Sequence, residues 1–157
     1  MNILLTAATP SEILPFLEYY RHAHTKLPGG HSIDVLLTGV GLTATTYALT
    51  RQVRLKRPVL IIQAGIGGCF DRQVPLGTLF AIKQDRIADQ GVMESKEFRS
   101  LADLGLIKDQ FPFTNGWLVN NSLALKKIRL KKVRAITVNE ITTSRERIGV
   151  IQKNLFP

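Results

Sequence analysis

Three short apolar runs, each closed by small residues or glycines and followed by a helix-forming stretch, restrict this chain to folds that alternate strand and helix. The first is Asn2 to Ala8, closed by Thr9-Pro10. Proline is tolerated in the first turn of a helix, so a helix is predicted from Ser11 to about His24. After the turn Leu27-Pro28-Gly29-Gly30, a second strand is predicted over Ile33 to Thr38 and a second helix over Leu42 to Lys56, joined by Gly39-Val40-Gly41. Pro58 opens the third run, Val59 to Ala64, whose unbroken apolar character is typical of a strand buried on both faces in a parallel sheet; Gly65-Ile66-Gly67-Gly68 ends it. Beyond Gly77, Thr78 to Ala88 predicts an extended strand, and Asp89-Gln90-Gly91 begins a loop lasting to about Asn120, a length more often functional than idle. A helix over Ser122 to Lys131, a strand over Val133 to Asn139 and a helix over Ser144 to Lys153 complete the pattern. The fold class is therefore α/β, with a largely parallel sheet layered between helices.

Composition removes other classes. With 157 residues, 45% hydrophobic and 21% charged, the chain has the balance of a soluble globular domain and buries roughly two-thirds of its unfolded surface. The longest apolar run, Val59-Leu60-Ile61-Ile62, falls far short of the ~20 residues that cross a bilayer, and the expected setting is the cytoplasm, away from any membrane. Cys69 is the single cysteine, so no internal disulfide is available. The net charge of +9 raises the question of nucleic acid. Its distribution argues against it: Arg51, Arg54, Lys56, Arg57 and then Lys126, Lys127, Arg129, Lys131, Lys132 sit at predicted helix ends, where cations complement the helix dipole, and no aromatic residues interleave to stack bases.

In a parallel α/β sheet, ligands bind beyond the carboxyl ends of the strands. The residues to weigh are those of Thr6 to Glu12, Gly39-Val40-Gly41, Gly65 to Gly68 and Asn139 to Thr143. Glycines there let the backbone approach a ligand and present N–H donors, although each pair also suits an ordinary strand-to-helix turn.

Taken together, the order of these segments resembles the nucleoside phosphorylase and nucleosidase superfamily: a strand ending in small residues with Glu12 just inside the first helix, a Gly-x-Gly turn, an apolar strand with Gly65-Ile66-Gly67-Gly68, then Leu76-Gly77-Thr78 and a long strand. The resemblance covers the whole chain. Asp89-Gln90-Gly91-Val92 followed by Ser100 to Leu106, and Ala135 to Asn139 followed by Thr142-Thr143, are most similar to futalosine hydrolases, with methylthioadenosine/S-adenosylhomocysteine nucleosidases as the related alternative. The resemblance implies one three-layer α/β/α domain with a twisted central sheet over residues 1–157, acting on a small-molecule purine nucleoside as a homo-oligomer, with no cofactor and no metal. Glu12 falls where nucleosidases carry the glutamate that positions and deprotonates the attacking water. By residue type alone it is equally an acidic side chain suited to the start of a helix. Ala8, Gly39, Ile66, Gly67 and Gly68 fall where the family's backbone lines the ribose and base, and Thr142 and Thr143 where residues flank the purine; threonines after a strand are also common with no role. Phe113 and Trp117 could cover a substrate or serve as core aromatics.

Two departures from the family shape the expected reaction. Phosphorylases hold phosphate with an arginine before the glycine loop and a serine inside it, whereas Gln63 and Ile66 stand here; an isoleucine side chain donates no hydrogen bond to an oxyanion, so water is the expected nucleophile. Family members also continue into a ribose-binding Met-Glu segment and a purine-protonating aspartate, and nothing in residues 144–157 matches either. The chain is thus expected to lack the family's C-terminal portion and, by itself, to show no turnover. An inactive nucleoside-binding or dimerisation domain is the reading from a different class.

Overall fold

The structure, a computed structural model, describes residues 2–22, 29–95 and 97–155. The predicted helix end at Ala23 and His24, the Leu27-Pro28 half of the turn, and Phe156-Pro157 lie outside them. The α/β class expected from the alternation is observed, in two compact units, Met1–Gly68 and Cys69–Pro157.

In the first unit, β1 (Asn2–Ala7) lies between β2 (Ser32–Leu37) and β3 (Leu60–Gln63), parallel to both. Four consecutive residues of β1, Leu4 to Ala7, are buried, as a central parallel strand covered on both faces requires; Leu4 is 2% exposed and Thr6 1%. Leu5, Ala7 and Ile13 form a small core against which Phe16, Leu17, Ile33 and Ala64 pack. Phe16 and Tyr20 stack with ring centres 5.5 Å apart, and the Tyr20 hydroxyl donates to the Ile33 carbonyl at 3.3 Å. The third strand departs from expectation: β3 is shorter than Val59 to Ala64, and Ile61 and Ile62 are exposed. Among the described residues its one ladder partner is β1, so it holds an edge of this sheet, and an apolar run does not by itself distinguish an edge from a centre.

The first helix is split. Pro10–Ile13 form a 3-10 turn and α1 runs Leu14–His22. Pro15 has no N–H to close a bond back to the preceding turn, which fits a tighter winding before it and an α-helix after it. The second helix, α2 (Leu42–Leu55), follows prediction to within one residue. Its basic end is solvated, with Lys56 paired to Asp34 on β2.

In the second unit, β4 (Phe80–Ile87) pairs in parallel with β9 (Lys131–Thr137) and antiparallel with β8 (Trp117–Val119), which pairs with β7 (Phe113–Thr114). The segment predicted as loop, Asp89 to Asn120, therefore contains strands. It also holds the hairpin β5 (Gly91–Glu94) and β6 (Glu97–Ser100). A Cβ on Gly91 would stand 2.1 Å from the Arg99 carbonyl oxygen, so this hairpin closes on a glycine. The turn Asn115-Gly116, with φ of 50° and 75°, closes the β7–β8 hairpin and is a recognisable two-residue hairpin signal. The third helix, α3 (Leu123–Lys127), is capped by the Ser122 hydroxyl and ends four residues before Lys131, because parallel pairing with Phe80 and Ala81 draws Lys131 and Lys132 into β9. The last helix, α4, runs Arg145–Leu155.

Two polar clusters organise this unit. Ser100 is buried; its hydroxyl accepts from Arg86 Nη2 and donates to Asp103 Oδ2, both at 2.6 Å, while its N–H donates to Asp103 Oδ2 at 2.9 Å. Arg86 and Arg134 also place their guanidinium carbons 6.0 Å and 5.7 Å from the Trp117 ring centre, within the range of cation–π attraction. The Ser100 hydroxyl, then its N–H and Arg86, hold the Asp103 carboxyl below the usual carboxylate range against the opposing effect of burial. A carboxyl depressed in the fold stabilises it above the pH at which the unfolded chain's carboxyl titrates, and that contribution disappears as pH falls through the lower, folded-state value.

Two stability measurements check this description. Leu4→Ala, which empties part of the most buried site on β1, should cost about 2–5 kcal/mol in urea unfolding; a loss within 0.5 kcal/mol, roughly the size of a surface effect, would contradict its place at the centre. Asp103→Asn should lower the melting temperature at pH 7 and change it little at pH 3, where wild-type Asp103 is itself losing its charge. Equal losses at both pH values would show that the charge on Asp103 contributes nothing.

Candidate active site

Parallel pairing in the first unit brings three chain segments to one end of the sheet. The ladder runs past the strand ends: Thr38 N donates to Ala7 O at 2.9 Å, Gly39 N to Ala8 O at 3.1 Å, and Ala64 N to Thr6 O at 2.9 Å. Ala8 is thereby held beside Gly39, and Gly65 begins where β3 leaves the ladder. Gly41, at the N-cap of α2, has φ +97°, a conformation that L side chains rarely adopt, so the Gly39-Val40-Gly41 turn depends on glycine. The Thr38 hydroxyl donates to the Gly39 and Ala7 carbonyls and accepts from the Thr45 hydroxyl at 3.3 Å, tying the turn to the first full turn of α2.

Glu12 is half-buried at this end of the sheet. Its Oε2 accepts the Thr9 N–H at 2.9 Å, the glutamate half of a capping box over the 3-10 turn. Its Oε1 faces the glycine loop after β3: the Ile66 N–H reaches it at 3.5 Å, and a Cβ on Gly65 would stand 3.2 Å from it. Glycine at position 65 is thus what lets the loop backbone close on the carboxylate. The two meanings weighed for Glu12 from sequence coexist in one side chain, since one oxygen caps the helix start and the other faces the loop. Ile66 is 80% exposed, and Gly67 and Gly68 are exposed beside it. The first unit therefore assembles Ala8, Glu12, Gly39, Ile66, Gly67 and Gly68 at the carboxyl ends of its strands. That arrangement offers backbone donors, an apolar side chain and a carboxylate with an oxygen free of strong partners.

Thr142 and Thr143 lie in the second unit, on the segment between β9 and α4. Thr142 is half-buried, its hydroxyl donating to the Glu140 carbonyl at 3.4 Å, and Thr143 is exposed. Sequence reasoning passed over the group that fixes this segment. The Asp89 carboxylate accepts the Asn139 N–H, the Asn139 side-chain amide at 3.0 Å and the Glu140 N–H at 3.1 Å, spanning fifty residues of sequence. Glu140 in turn pairs with Arg147 of α4 at 3.2 Å. The available signal was an aspartate directly after a strand, the position from which a short acceptor reaches neighbouring backbone N–H groups. Phe113 and Trp117 prove to be strand residues, Trp117 lying between Arg86 and Arg134. Among the described residues no group of three or more His, Cys, Asp or Glu is placed to hold a metal, and no helix is long and apolar enough to cross a membrane.

No protein-family model matches the sequence, and no curated protein matches it. Solved structures do. The chain superposes on a methylthioadenosine/S-adenosylhomocysteine nucleosidase from Helicobacter pylori with a TM-score of 0.70 at 16% identity, covering 99% of this chain and 75% of that one. The Neisseria meningitidis nucleosidase in complex with methylthio-immucillin-A gives 0.72 at 13% identity, with coverages of 98% and 71%. A futalosine hydrolase mutant from Helicobacter pylori gives 0.71 at 16% identity, with coverages of 99% and 76%. Likeness across nearly the whole chain at such low identity is a statement about architecture, and it agrees with the resemblance carried by the glycine turns and Glu12: the chain has the fold of the nucleoside phosphorylase and nucleosidase superfamily.

Proposed function

We propose that this chain carries the water-activating side of a site that hydrolyses the N-glycosidic bond of a purine nucleoside. The observation that carries the reading is the Glu12 carboxylate, with Oε2 fixed by the Thr9 N–H and Oε1 turned to Gly65-Ile66 at the carboxyl ends of three parallel strands. A carboxylate so held can take a proton from a water attacking the sugar carbon as the bond to the purine breaks, the electron pair leaving with the base. Hydrolysis is favoured over phosphorolysis because Gln63 and Ile66 occupy the positions at which phosphorylases of similar pattern hold phosphate, and the exposed Ile66 side chain offers an anion no hydrogen bond. Ile66 suits the apolar edge of a nucleoside instead. Futalosine is the first substrate to test, on the strength of the Asp89-Gln90-Gly91 and Thr142-Thr143 segments, and methylthioadenosine and S-adenosylhomocysteine are the alternatives. Two roles have no candidate among residues 1–157, the ribose-hydroxyl partner and the acid that protonates the leaving purine. The chain by itself is therefore expected to bind nucleoside and turn it over at close to the background rate. The reading places the protein in the cytoplasm as a homo-oligomer, to which exposed Tyr47 and Leu55 on α2 would contribute apolar surface.

Calorimetry of the purified chain with methylthioadenosine and inosine, with free base followed by chromatography in phosphate-free buffer, tests this directly. Binding without turnover is expected of residues 1–157, and where a preparation does release base, added phosphate should not accelerate it and Glu12→Gln should lower the rate about 10²-fold while leaving affinity nearly intact. Release of a sugar 1-phosphate would overturn hydrolysis; absence of any binding would overturn the site itself.

A further inference from the structure

The Asp89 clamp stands apart from the groups discussed for chemistry, yet it is the most highly partnered exposed carboxylate of the second unit. It collects two backbone N–H groups and a side-chain amide from Asn139 and Glu140, the first residues after β9. The segment it holds continues to Ile141, 84% exposed, and to Thr142, whose hydroxyl folds back on the Glu140 carbonyl. At the far side, Arg147 of α4 pairs with the Glu140 carboxylate, and Ser144 caps the start of α4 through Arg147 N at 3.4 Å. Residues 139–144 are thus fixed at both ends while presenting an apolar side chain outward. An exposed isoleucine on an irregular segment would ordinarily cost little to leave mobile. Three hydrogen bonds to one ionised acceptor are instead spent on its backbone, and bonds to charged groups are worth more than neutral ones.

We propose that Asp89 is a positioning residue for nucleoside recognition: by anchoring Asn139 and Glu140 it sets the placement of Ile141 and Thr142 as an apolar and hydroxyl-bearing wall for the purine ring. This assignment rests on the nucleoside reading given above. It makes Asp89 responsible for affinity and gives it no part in the attack of water. Replacing the carboxylate by an amide of the same shape sets an N–H₂ donor against the donors of Asn139 and Glu140, so Asp89→Asn should release the segment without altering bulk.

The test combines two measurements on the 157-residue chain. Amide hydrogen exchange should show faster exchange at Asn139 and Glu140 in Asp89→Asn, with β1 and the β4–β9 ladder unchanged, which separates release of the segment from unfolding. Calorimetry with methylthioadenosine should show affinity reduced about tenfold or more in Asp89→Asn, by a smaller factor in Asn139→Ala, which removes one of the three bonds, and hardly at all in Glu12→Gln. Affinity of Asp89→Asn within twofold of the unaltered chain, with the two amides exchanging faster, would overturn the assignment while leaving the nucleoside reading in place. Unchanged exchange at Asn139 and Glu140 would overturn it at the level of the clamp. Failure of the unaltered chain to bind methylthioadenosine would remove the nucleoside reading and this assignment together.

Discussion

The parallel register of β1 against both its neighbours is the constraint on which the first unit depends. Pairing Ile3 with Ile33 on one side and with Leu60 on the other fixes where each strand leaves the ladder. The last bonds, from Thr38, Gly39 and Ala64 to the end of β1, set the two glycine segments beside the turn that carries Glu12. Side chains alternate faces along a strand, so a slip of one residue would exchange the buried and exposed sets of β1 as well as misplace the loops. Four buried residues in succession make such a slip costly, and the geometry at the strand ends inherits that cost.

Glu12 shows how local and long-range requirements meet in one group. Because Oε2 is committed to the Thr9 N–H, the orientation of the carboxylate is set by the same bond that starts the 3-10 turn. The other oxygen is then aimed without a further ordering step, and Gly65 leaves room for the loop backbone to approach it. A base restrained in this way loses little conformational freedom when a water or substrate arrives, which is the entropic advantage of a preorganised site.

Much of this was legible in the sequence, for physical reasons that can be named. Strand and helix alternation, the glycine turns and Glu12 at a helix start are local signals, and the elements from β1 to α2 and from β9 to α4 stand close to where they were expected. The failures are of another kind. Ile61 and Ile62 read as a buried centre because apolarity does not report the number of neighbouring strands. The strands between Gly91 and Val119 are two to four residues long, too short for periodicity, and only Asn115-Gly116 announced one of their turns. α3 lost its last turn to pairing of Lys131 and Lys132 with β4, a tertiary preference that outweighs helix propensity. Asp89 was quoted only as part of a motif, because its three partners lie fifty residues away and no spacing rule connects them.

The two lysines drawn into β9 carry a colloidal consequence. Among the described residues β9 has a ladder partner on one side, β4, and its first two residues are exposed and cationic. A second copy approaching that margin to extend the sheet would bring like charges together in a chain that already carries +9. This repulsion acts over about 8 Å at physiological ionic strength and shrinks as salt is added. The excess of basic residues, unexplained by any nucleic-acid surface, thus keeps an open strand margin from becoming a seed for sheet-to-sheet growth, and that protection weakens in concentrated salt.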